Sequence, residues 1–207
     1  METEVARYLT SNAKPCLGID ELIEGCDEDY RGTTVLQVAS SYGYLPLVRK
    51  LLIVDQQDVN DFGQDGFKRS ALHYVALSQN DHTNVAKFLI KNGATINAID
   101  KDENTPLHLA VMSGNIGIAN ILIENGANIN AQNNDNSYTP LHEAAWASNS
   151  DMVNILIDQG AKVDIKDQWG QTALDIAKRG GLAGTDGIEN IKPKLIKKIE
   201  SKLSGVY

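Results

Sequence analysis

The side chains of this sequence best suited to chemistry are its four histidines, because imidazole both coordinates metals and transfers protons near neutral pH. Three of them, His73, His108 and His142, each close a tetrapeptide of the form Ser/Thr-X-Leu-His, and the last two close identical Thr-Pro-Leu-His copies. The fourth, His82, lies in a polar segment that we expect to be a solvated loop. Whether the repeated imidazoles could share a metal ion depends on the elements that carry them.

Other catalytic patterns are missing from the sequence. It contains no Gly-X-Ser-X-Gly nucleophile elbow, no phosphate-binding loop and no His-Glu-X-X-His zinc motif. The segment 180–187 is rich in glycine, but it does not follow a predicted strand as a phosphate-binding loop would. We therefore expect no enzymatic activity, no catalytic residues, no bound metal and no cofactor.

The tetrapeptides that carry His108 and His142 open two copies of one longer unit. Their threonine can cap a helix whose first residue is proline, and a glycine such as Gly114 can end that short helix. A second apolar helix, about residues 116–124 in the first copy, leads to Gly126 and then to a segment rich in Asn and Asp. Each copy is therefore predicted to be a helix-turn-helix unit followed by a projecting finger.

A unit that begins with Thr-Pro-Leu-His at Thr105 and again at Thr139 resembles the ankyrin repeat, whose period is about 33 residues. The resemblance implies an all-α solenoid of stacked helix-turn-helix units with projecting β-turn fingers, in which Leu107 and Leu141 should be fully buried between layers. Layers of helices pack roughly 8–10 Å apart, whereas the ligands of a zinc ion lie about 2 Å from it. The repeated histidines should therefore not share a metal. The resemblance implies that each bonds threonine and the backbone of the adjoining layer.

We predict one solenoid domain over residues 1–207. In the first repeat Gln37 stands where histidine is expected, and in the last repeat Asp175 does. A final helix that opens at Pro193 places apolar residues on one face and lysines on the other. The predicted parts are an N-terminal helical cap at 1–32, repeats at 33–66, 67–99, 100–132 and 133–166, and a last repeat with a C-terminal cap at 167–207.

The charge balance constrains the class of partner. The sequence carries 27 acidic and 19 basic residues, a formal net charge of −8. An acidic surface disfavours general nucleic-acid binding and fits a protein partner with a basic face. The lysine-rich C-terminal helix is the exception, and it leaves a nucleic-acid binder as a lesser alternative.

The chain shows no targeting pattern. No apolar run approaches the length of roughly 18 residues that a membrane helix needs, and no secretory signal opens the sequence. The two cysteines, Cys16 and Cys26, are expected to be free thiols in a reducing compartment. We therefore expect an intracellular monomer, cytoplasmic or nuclear, that does not bind membranes.

The resemblance to ankyrin repeats also implies where a protein partner binds: on the concave face, formed by the finger tips and the exposed side of each first helix. The predicted binding surface is carried over residue by residue from the helix positions before the inter-helix turn and the finger positions before each Ser/Thr. Its residues are Tyr42, Phe67, Arg69, Leu77, Lys101, Asn104, Met112, Tyr138, Glu143, Trp146 and Trp169. Aromatic side chains and arginine are enriched where binding energy concentrates.

Trp146 and Trp169 are predicted to form one apolar anchor on this surface. The packed side of its helix carries Leu141, and Trp146 lies further round, towards the hollow. Trp169 precedes a glycine at the next finger tip, so the two rings should lie within about 10 Å of each other. Tyr138 should border them on the preceding finger, and Glu143 should select a basic group nearby.

These observations predict a non-catalytic protein–protein interaction module. The alternative is a regulatory or inhibitory subunit of an enzyme or a transcription factor. The resemblance also implies that Asn97 and Asn130 could be substrates of an asparaginyl hydroxylase, with Asn60 a weaker match because its finger is longer.

Overall fold

A computed structural model of the protein describes residues 32–179 and 192–204. Within these ranges the chain forms ten helices and no β-strand. The helices are α1 (Val35–Ser41), α2 (Leu45–Ile53), α3 (Ala71–Leu77), α4 (Thr83–Lys91), α5 (Pro106–Met112), α6 (Ile116–Glu124), α7 (Pro140–Trp146), α8 (Ser150–Asp158), α9 (Ala173–Arg179) and α10 (Lys192–Leu203).

The helices form two layers. The first helices of successive units, α1, α3, α5, α7 and α9, pack against one another in sequence order. The second helices α2, α4 and α6 pack in the same order behind them, and each contacts the first helix of its own unit. The terminal helix α10 packs against α8 and α9, where Ile199 is fully buried. The chain is thus the all-α solenoid of stacked helical pairs that the sequence predicts.

Local sequence sets where the short first helices begin and end. Thr105 and Thr139 each accept a hydrogen bond from the backbone N–H three residues later, and a proline opens each of the two helices. After these helices the chain passes through the left-handed region, at Gly114 with φ of 70° and at Ser148 with φ of 54°. Ser148 therefore takes the role of the inter-helix glycine, as its position in the sequence indicates.

Leucine and alanine fill the space between the layers. Leu107 and Leu141 are fully buried, as predicted, and Ala110 and Ala144 on the same helices have no exposed surface. The small alanine side chains let successive first helices approach closely. Full burial of one leucine side chain contributes about 1.5–3 kcal/mol relative to exposure, so each added layer stabilises its neighbours.

Asparagines join each finger to the next. The side chain of Asn97 donates from Nδ2 to the carbonyl of Gly126 at 3.2 Å and accepts from the N–H of Asn128 at 2.8 Å. Asn60 makes the same pair of bonds to two backbone groups of the following unit. The longer finger after Asn60 made it the weaker match in the sequence, but the extra residues leave this junction unchanged.

His82 departs from the sequence-based expectation of a solvated side chain. Its ring packs over Gly43 so closely that a Cβ atom built on that glycine would lie 2.1 Å from Nδ1 of His82. Its Nε2 atom is buried and has no hydrogen-bond partner among the described residues. The link between α3 and α4 is longer than the link between α5 and α6, and it carries His82 to the inter-helix turn of the preceding unit.

Three predictions concern segments outside the described ranges. These are the helices of the N-terminal cap, the state of Cys16 and Cys26, and the glycine-rich link at 180–187. Within the described ranges, no helix combines the length and the apolar character that crossing a membrane requires.

Candidate functional site

The three repeated histidines hold the layers together. Nδ1 of His108 accepts a hydrogen bond from the N–H of Thr105, so Nε2 carries the proton and donates to the carbonyl of Tyr138 in the next layer, 3.0 Å away. His73 and His142 bond their own Ser/Thr and the next layer in the same way. The predicted structural role of these imidazoles is confirmed.

Burial sets the protonation of these histidines. It lowers the pKa of His73 and of His108 to about 4, against the opposing effect of the backbone carbonyls that they bond. Both rings are therefore neutral at neutral pH. Nowhere in residues 32–179 and 192–204 do three His, Cys, Asp or Glu side chains come together as a metal site requires.

The two tryptophans of the chain line one cleft. Trp146, the last residue of α7, is 39% exposed, and Trp169, in the next finger, is 59% exposed. Both line a hollow of about 540 Å³ and an adjoining hollow of about 320 Å³. We call the two hollows together the aromatic cleft. Besides the two rings, the larger hollow is lined by Tyr138, Gln171, Ile176 and Arg179, and the smaller by Asn104, Met112, Asn133, Asp135, Asn136, Tyr138 and Glu143.

Tyr138 and Asn104 were expected as exposed finger-tip residues, but they are only 7% and 6% exposed. The Tyr138 ring stacks on His142, with centroids 5.4 Å apart, and meets the Trp169 ring edge to face. Asn104 is held by hydrogen bonds to Asp100. Asn104 accepts a hydrogen bond from Asn133 of the next finger, as Tyr138 contacts Trp169 of the next finger, so both side chains support the surface from beneath it.

Arg69, Phe67 and Lys101 form a second cluster. The guanidinium carbon of Arg69 lies 4.7 Å from the centre of the Phe67 ring, and Nζ of Lys101 lies 4.4 Å from it. Arg69 also donates from Nε to Asp100 at 3.3 Å, and its side chain is only 19% exposed. Its charge is therefore paired within the protein, which leaves less of Arg69 available to a partner than its place on the predicted binding surface implies. Phe67 and Lys101 remain exposed.

The other predicted surface residues differ in exposure. Tyr42 and Met112 are exposed, whereas Leu77 is partly buried against the core. Of these three, Met112 lines the aromatic cleft. The structure therefore brings Met112, Glu143, Trp146 and Trp169 together, with Tyr138 and Asn104 beneath them.

The cleft contains a carboxyl group with a raised pKa. Burial raises the pKa of Glu143 to about 7, against a hydrogen bond from Asn133 and with a further contribution from the charge of Asp135. The Asn133 bond is long, 3.4 Å from Nδ2 to Oε1 of Glu143. A carboxylate in this setting is incompletely compensated, and a nearby cation would favour its ionised form.

The prediction from sequence did not include Asn133, Asn136, Ile176 and Arg179, which line the cleft. The missed signal for Arg179 is positional, because it stands seven residues after Thr172, as Trp146 stands seven residues after Thr139. Extending the helix-position rule to the last unit would have found it. Asn133 and Ile176 had no such signal, because their place in the cleft depends on the neighbouring layer.

Comparison with known proteins identifies similar sequences. The sequence profile described as Ankyrin repeats (3 copies) matches residues 50–133 and 81–167. The chain is 34% identical over 79 residues to alpha-latroinsectotoxin-Lt1a of Latrodectus tredecimguttatus, which covers 38% of this chain and 5% of that protein. It is 39% identical over 57 residues to the ankyrin repeat and LEM domain-containing protein 1 homolog of Caenorhabditis elegans, covering 27% and 8%. It is 35% identical over 85 residues to BCL-6 corepressor-like protein 1 of Homo sapiens, covering 41% and 4%.

These matches differ in extent. The chain spans less than a tenth of the length of each of these relatives. The family profile, by contrast, covers residues 50–167, more than half of the chain. Ankyrin repeats generally mediate protein–protein interaction, and the family is generally non-enzymatic. The profile match, the stacked helical pairs and the histidines that bond successive layers agree, and the chain belongs to the ankyrin-repeat family.

Proposed function

We propose that this chain is a non-catalytic protein-interaction module that binds a protein partner in the aromatic cleft and along the adjoining concave face. The observation that carries the proposal is that both tryptophans of the chain line one cleft while remaining substantially exposed. Tryptophan is enriched among the residues that dominate binding energy. Two such rings in one cleft favour a binding role over a packing role.

The proposed surface extends beyond the cleft. Tyr42, Phe67, Leu77 and Lys101 would continue it along the first helices and fingers of the earlier units. The net charge of −8 favours a partner with a basic face. The proposal includes the single-domain division given above, a monomeric state, and a cytoplasmic or nuclear location.

The lesser alternative, nucleic-acid binding through α10, is weakened by how that helix packs. Nζ of Lys198 lies 2.7 Å from a carboxylate oxygen of Asp158, and Glu200 lies 3.1 Å from Nζ of Lys178. The Asp158 contact neutralises one lysine of α10, and both contacts hold the helix against the solenoid. A regulatory or inhibitory role would follow from the identity of the partner.

Site-specific photo-crosslinking tests the proposal. A benzophenone amino acid is placed at Met112, in the wall of the cleft, or at the exposed Glu124 of α6, which lies outside it. We expect a partner to crosslink from position 112 and not from position 124, and Trp146→Ala to remove that crosslink. Equal crosslinking from both positions, or a crosslink unaffected by Trp146→Ala, would contradict binding in the cleft.

A further inference from the structure

The aromatic cleft is lined by more acidic than basic side chains. Glu143 and Asp135 line its smaller hollow, and Arg179 is the one cation among the described residues that line either hollow. Neither carboxylate takes part in an ion pair within the described ranges. The ion pairs found there lie elsewhere, at Lys50–Asp55, Arg69–Asp100, Lys178–Glu200 and Lys198–Asp158.

A third carboxylate, Asp167, lies at the base of the finger that carries Trp169. Its Oδ1 atom accepts hydrogen bonds from the N–H groups of Trp169 and Gln171, at 2.9 and 2.7 Å. The residue is only 6% exposed, and its buried Oδ2 atom has no hydrogen-bond partner among the residues that the structure describes. A buried polar atom without a partner is costly and calls for an explanation.

Asp65 and Asp100 hold the position of Asp167 in two other fingers, five residues before the Ser/Thr. In both, the Oδ2 atom has a hydrogen-bond donor. Oδ2 of Asp65 accepts a hydrogen bond from the hydroxyl of Tyr74, the fourth residue after Ser70. Oδ2 of Asp100 accepts one from Nε of Arg69, the residue before Ser70 in the preceding unit. Two positions of the repeat therefore provide the donor.

In the unit of Asp167, the residues at the two donor positions are Ile176 and Tyr138. Both side chains line the aromatic cleft, and neither donates a hydrogen bond to Oδ2 of Asp167. Asp167 is nevertheless close enough to act on the cleft wall. Burial raises the pKa of Tyr138, and the charges of Asp167 and Glu143 raise it further, against Arg179, which lowers it. Three carboxylates thus act around the cleft against one guanidinium.

The finger before Ser70 shows how this protein places cations beside an aromatic ring. Phe67 has Arg69 and Lys101 over its ring, at 4.7 and 4.4 Å. Trp169 stands three residues before Thr172, as Phe67 stands three residues before Ser70. The Trp169 ring carries no such cation within the described ranges, and tryptophan is the aromatic side chain that attracts cations most strongly.

Building on the proposed function, we propose that the aromatic cleft receives a cationic side chain, arginine or lysine, of the protein partner, with Glu143 as its counter-ion and Trp146 and Trp169 as its aromatic walls. Arg179 lines the larger hollow, whereas Glu143 and Asp135 line the smaller one. The smaller hollow is therefore the end that takes the cation. An uncharged apolar anchor is the competing occupant.

A displayed library of short random peptides tests the inference on the whole chain. Peptides are selected on the wild-type protein and counter-selected on Trp146→Ala. Their binding is followed by intrinsic tryptophan fluorescence, because both tryptophans of the chain line the cleft. Each selected peptide is then made again with citrulline for arginine or hydroxynorleucine for lysine, and both replacements remove the charge while nearly keeping the size of the side chain.

We expect the selected peptides to share an arginine or lysine whose neutralisation weakens binding by about tenfold or more. Glu143→Gln should weaken binding of the charged peptides by about fivefold, whereas Glu124→Gln, outside the cleft, should change it less than about twofold. The peptide substitutions need no protein variant, so the result does not depend on how Glu143→Gln folds.

Two results would overturn the inference, and only one of them would also contradict the proposed function. If selected peptides prefer the wild type over Trp146→Ala but bind equally well after neutralisation, the cleft takes an apolar anchor, and the proposed function stands without this inference. If no peptide prefers the wild type over Trp146→Ala, both the proposed function and the inference are contradicted.

Discussion

The ring of Tyr138 meets the ring of Trp169 edge to face, with centroids 6.3 Å apart and an angle of 71° between their planes. Tyr138 also stacks on His142, whose Nε2 donates to the backbone of the next layer. Tyr138 therefore connects the exposed cleft to the buried polar contacts between layers. The two aromatic neighbours should differ in consequence: Tyr138 supports the fold, whereas Trp169 is available to a partner.

Substitutions at Trp146 and Tyr138 should separate binding from stability. Trp146→Ala should weaken partner binding by about 2 kcal/mol or more while lowering the free energy of unfolding by less than about 1 kcal/mol, because the ring is partly exposed. Tyr138→Ala should lower the free energy of unfolding by about 3–5 kcal/mol, because the ring is buried. Calorimetric titration with the partner and urea unfolding measure the two effects. Comparable destabilisation by both variants would identify Trp146 as a core residue.

Leu107→Ala should lower the free energy of unfolding by about 2–5 kcal/mol, because it leaves a cavity between two layers. Met112, on the same helix, is exposed, and Met112→Ala should cost less than about 0.5 kcal/mol. Urea unfolding of both variants at one pH provides the measurement. A cost for Leu107→Ala as small as that for Met112→Ala would show that the packed face of α5 is assigned incorrectly.

His108→Gln should be tolerated at neutral pH, because the first unit already uses glutamine in this position. Oε1 of Gln37 accepts from the N–H of Thr34 at 2.7 Å, and its Nε2 donates to the carbonyl of Arg69 at 2.6 Å. We expect a cost below about 1 kcal/mol for His108→Gln and about 2–3 kcal/mol for His108→Ala, which leaves buried backbone groups unpaired. Equal losses for the two variants would mean that these hydrogen bonds contribute little.

His108→Gln should also reduce the loss of stability that the protein suffers at acid pH. The pKa of His108 is about 4 in the folded protein and 6.5 in the reference state, so the unfolded chain takes up the proton first as the pH falls from 6.5 to 4. The stability that the neutral ring contributes is present above pH 6.5 and is lost through this window, by up to about 3 kcal/mol. Free energies of unfolding at pH 7 and pH 4.5 should therefore differ less for His108→Gln than for the wild type. An unchanged difference would contradict the lowered pKa.

Glu143 should make the stability of the protein depend on pH in the opposite direction to His108, and Glu143→Gln should remove this dependence. The pKa of Glu143 is about 7 in the folded protein and 4.5 in the reference state, so the folded state holds its proton to higher pH. Wild-type stability should therefore fall as the pH rises from 4.5 to 7, by about 1–3 kcal/mol after allowance for partial exposure. The glutamine variant lacks this loss and should gain on the wild type between pH 5 and pH 8. A constant difference between the two proteins across that range would contradict the raised pKa.

Gly43→Ala should be more costly than Gly93→Ala. Both glycines have positive φ, 71° and 90°, so alanine is strained at either position by about 1–2 kcal/mol. At Gly93 a new Cβ would meet no atom within 4 Å, whereas at Gly43 it would lie 2.1 Å from the His82 ring. The clash should add about 1–3 kcal/mol to the loss at Gly43, and His82→Ala should recover that part. Thermal unfolding of the two single variants and the Gly43/His82 double variant measures it.

The sequence by itself determined the repeating architecture. Thr105 and Thr139 as caps, Pro106 and Pro140 at the first helical positions and Gly114 in the turn are local signals, and their recurrence fixes the unit. Leu107 and Leu141 had to be buried because one unit cannot cover its own apolar faces. These features follow from local backbone preferences and from the period of the apolar residues, both of which can be read from one stretch of chain.

Only the tertiary structure decided which side chains the finished surface offers. Asn104 and Tyr138 hold the same position before the threonine, and the sequence could not show that each lies against the finger of the following unit. The same holds for the pairing of Arg69 with Asp100 and for the pKa of Glu143. Each depends on the side chain that the neighbouring layer places alongside. The residue before each Ser/Thr differs from repeat to repeat: Arg69, Asn104, Tyr138 and Gln171. The repeat pattern therefore determines the scaffold, and the packing of one layer on the next determines the charge and shape of the site.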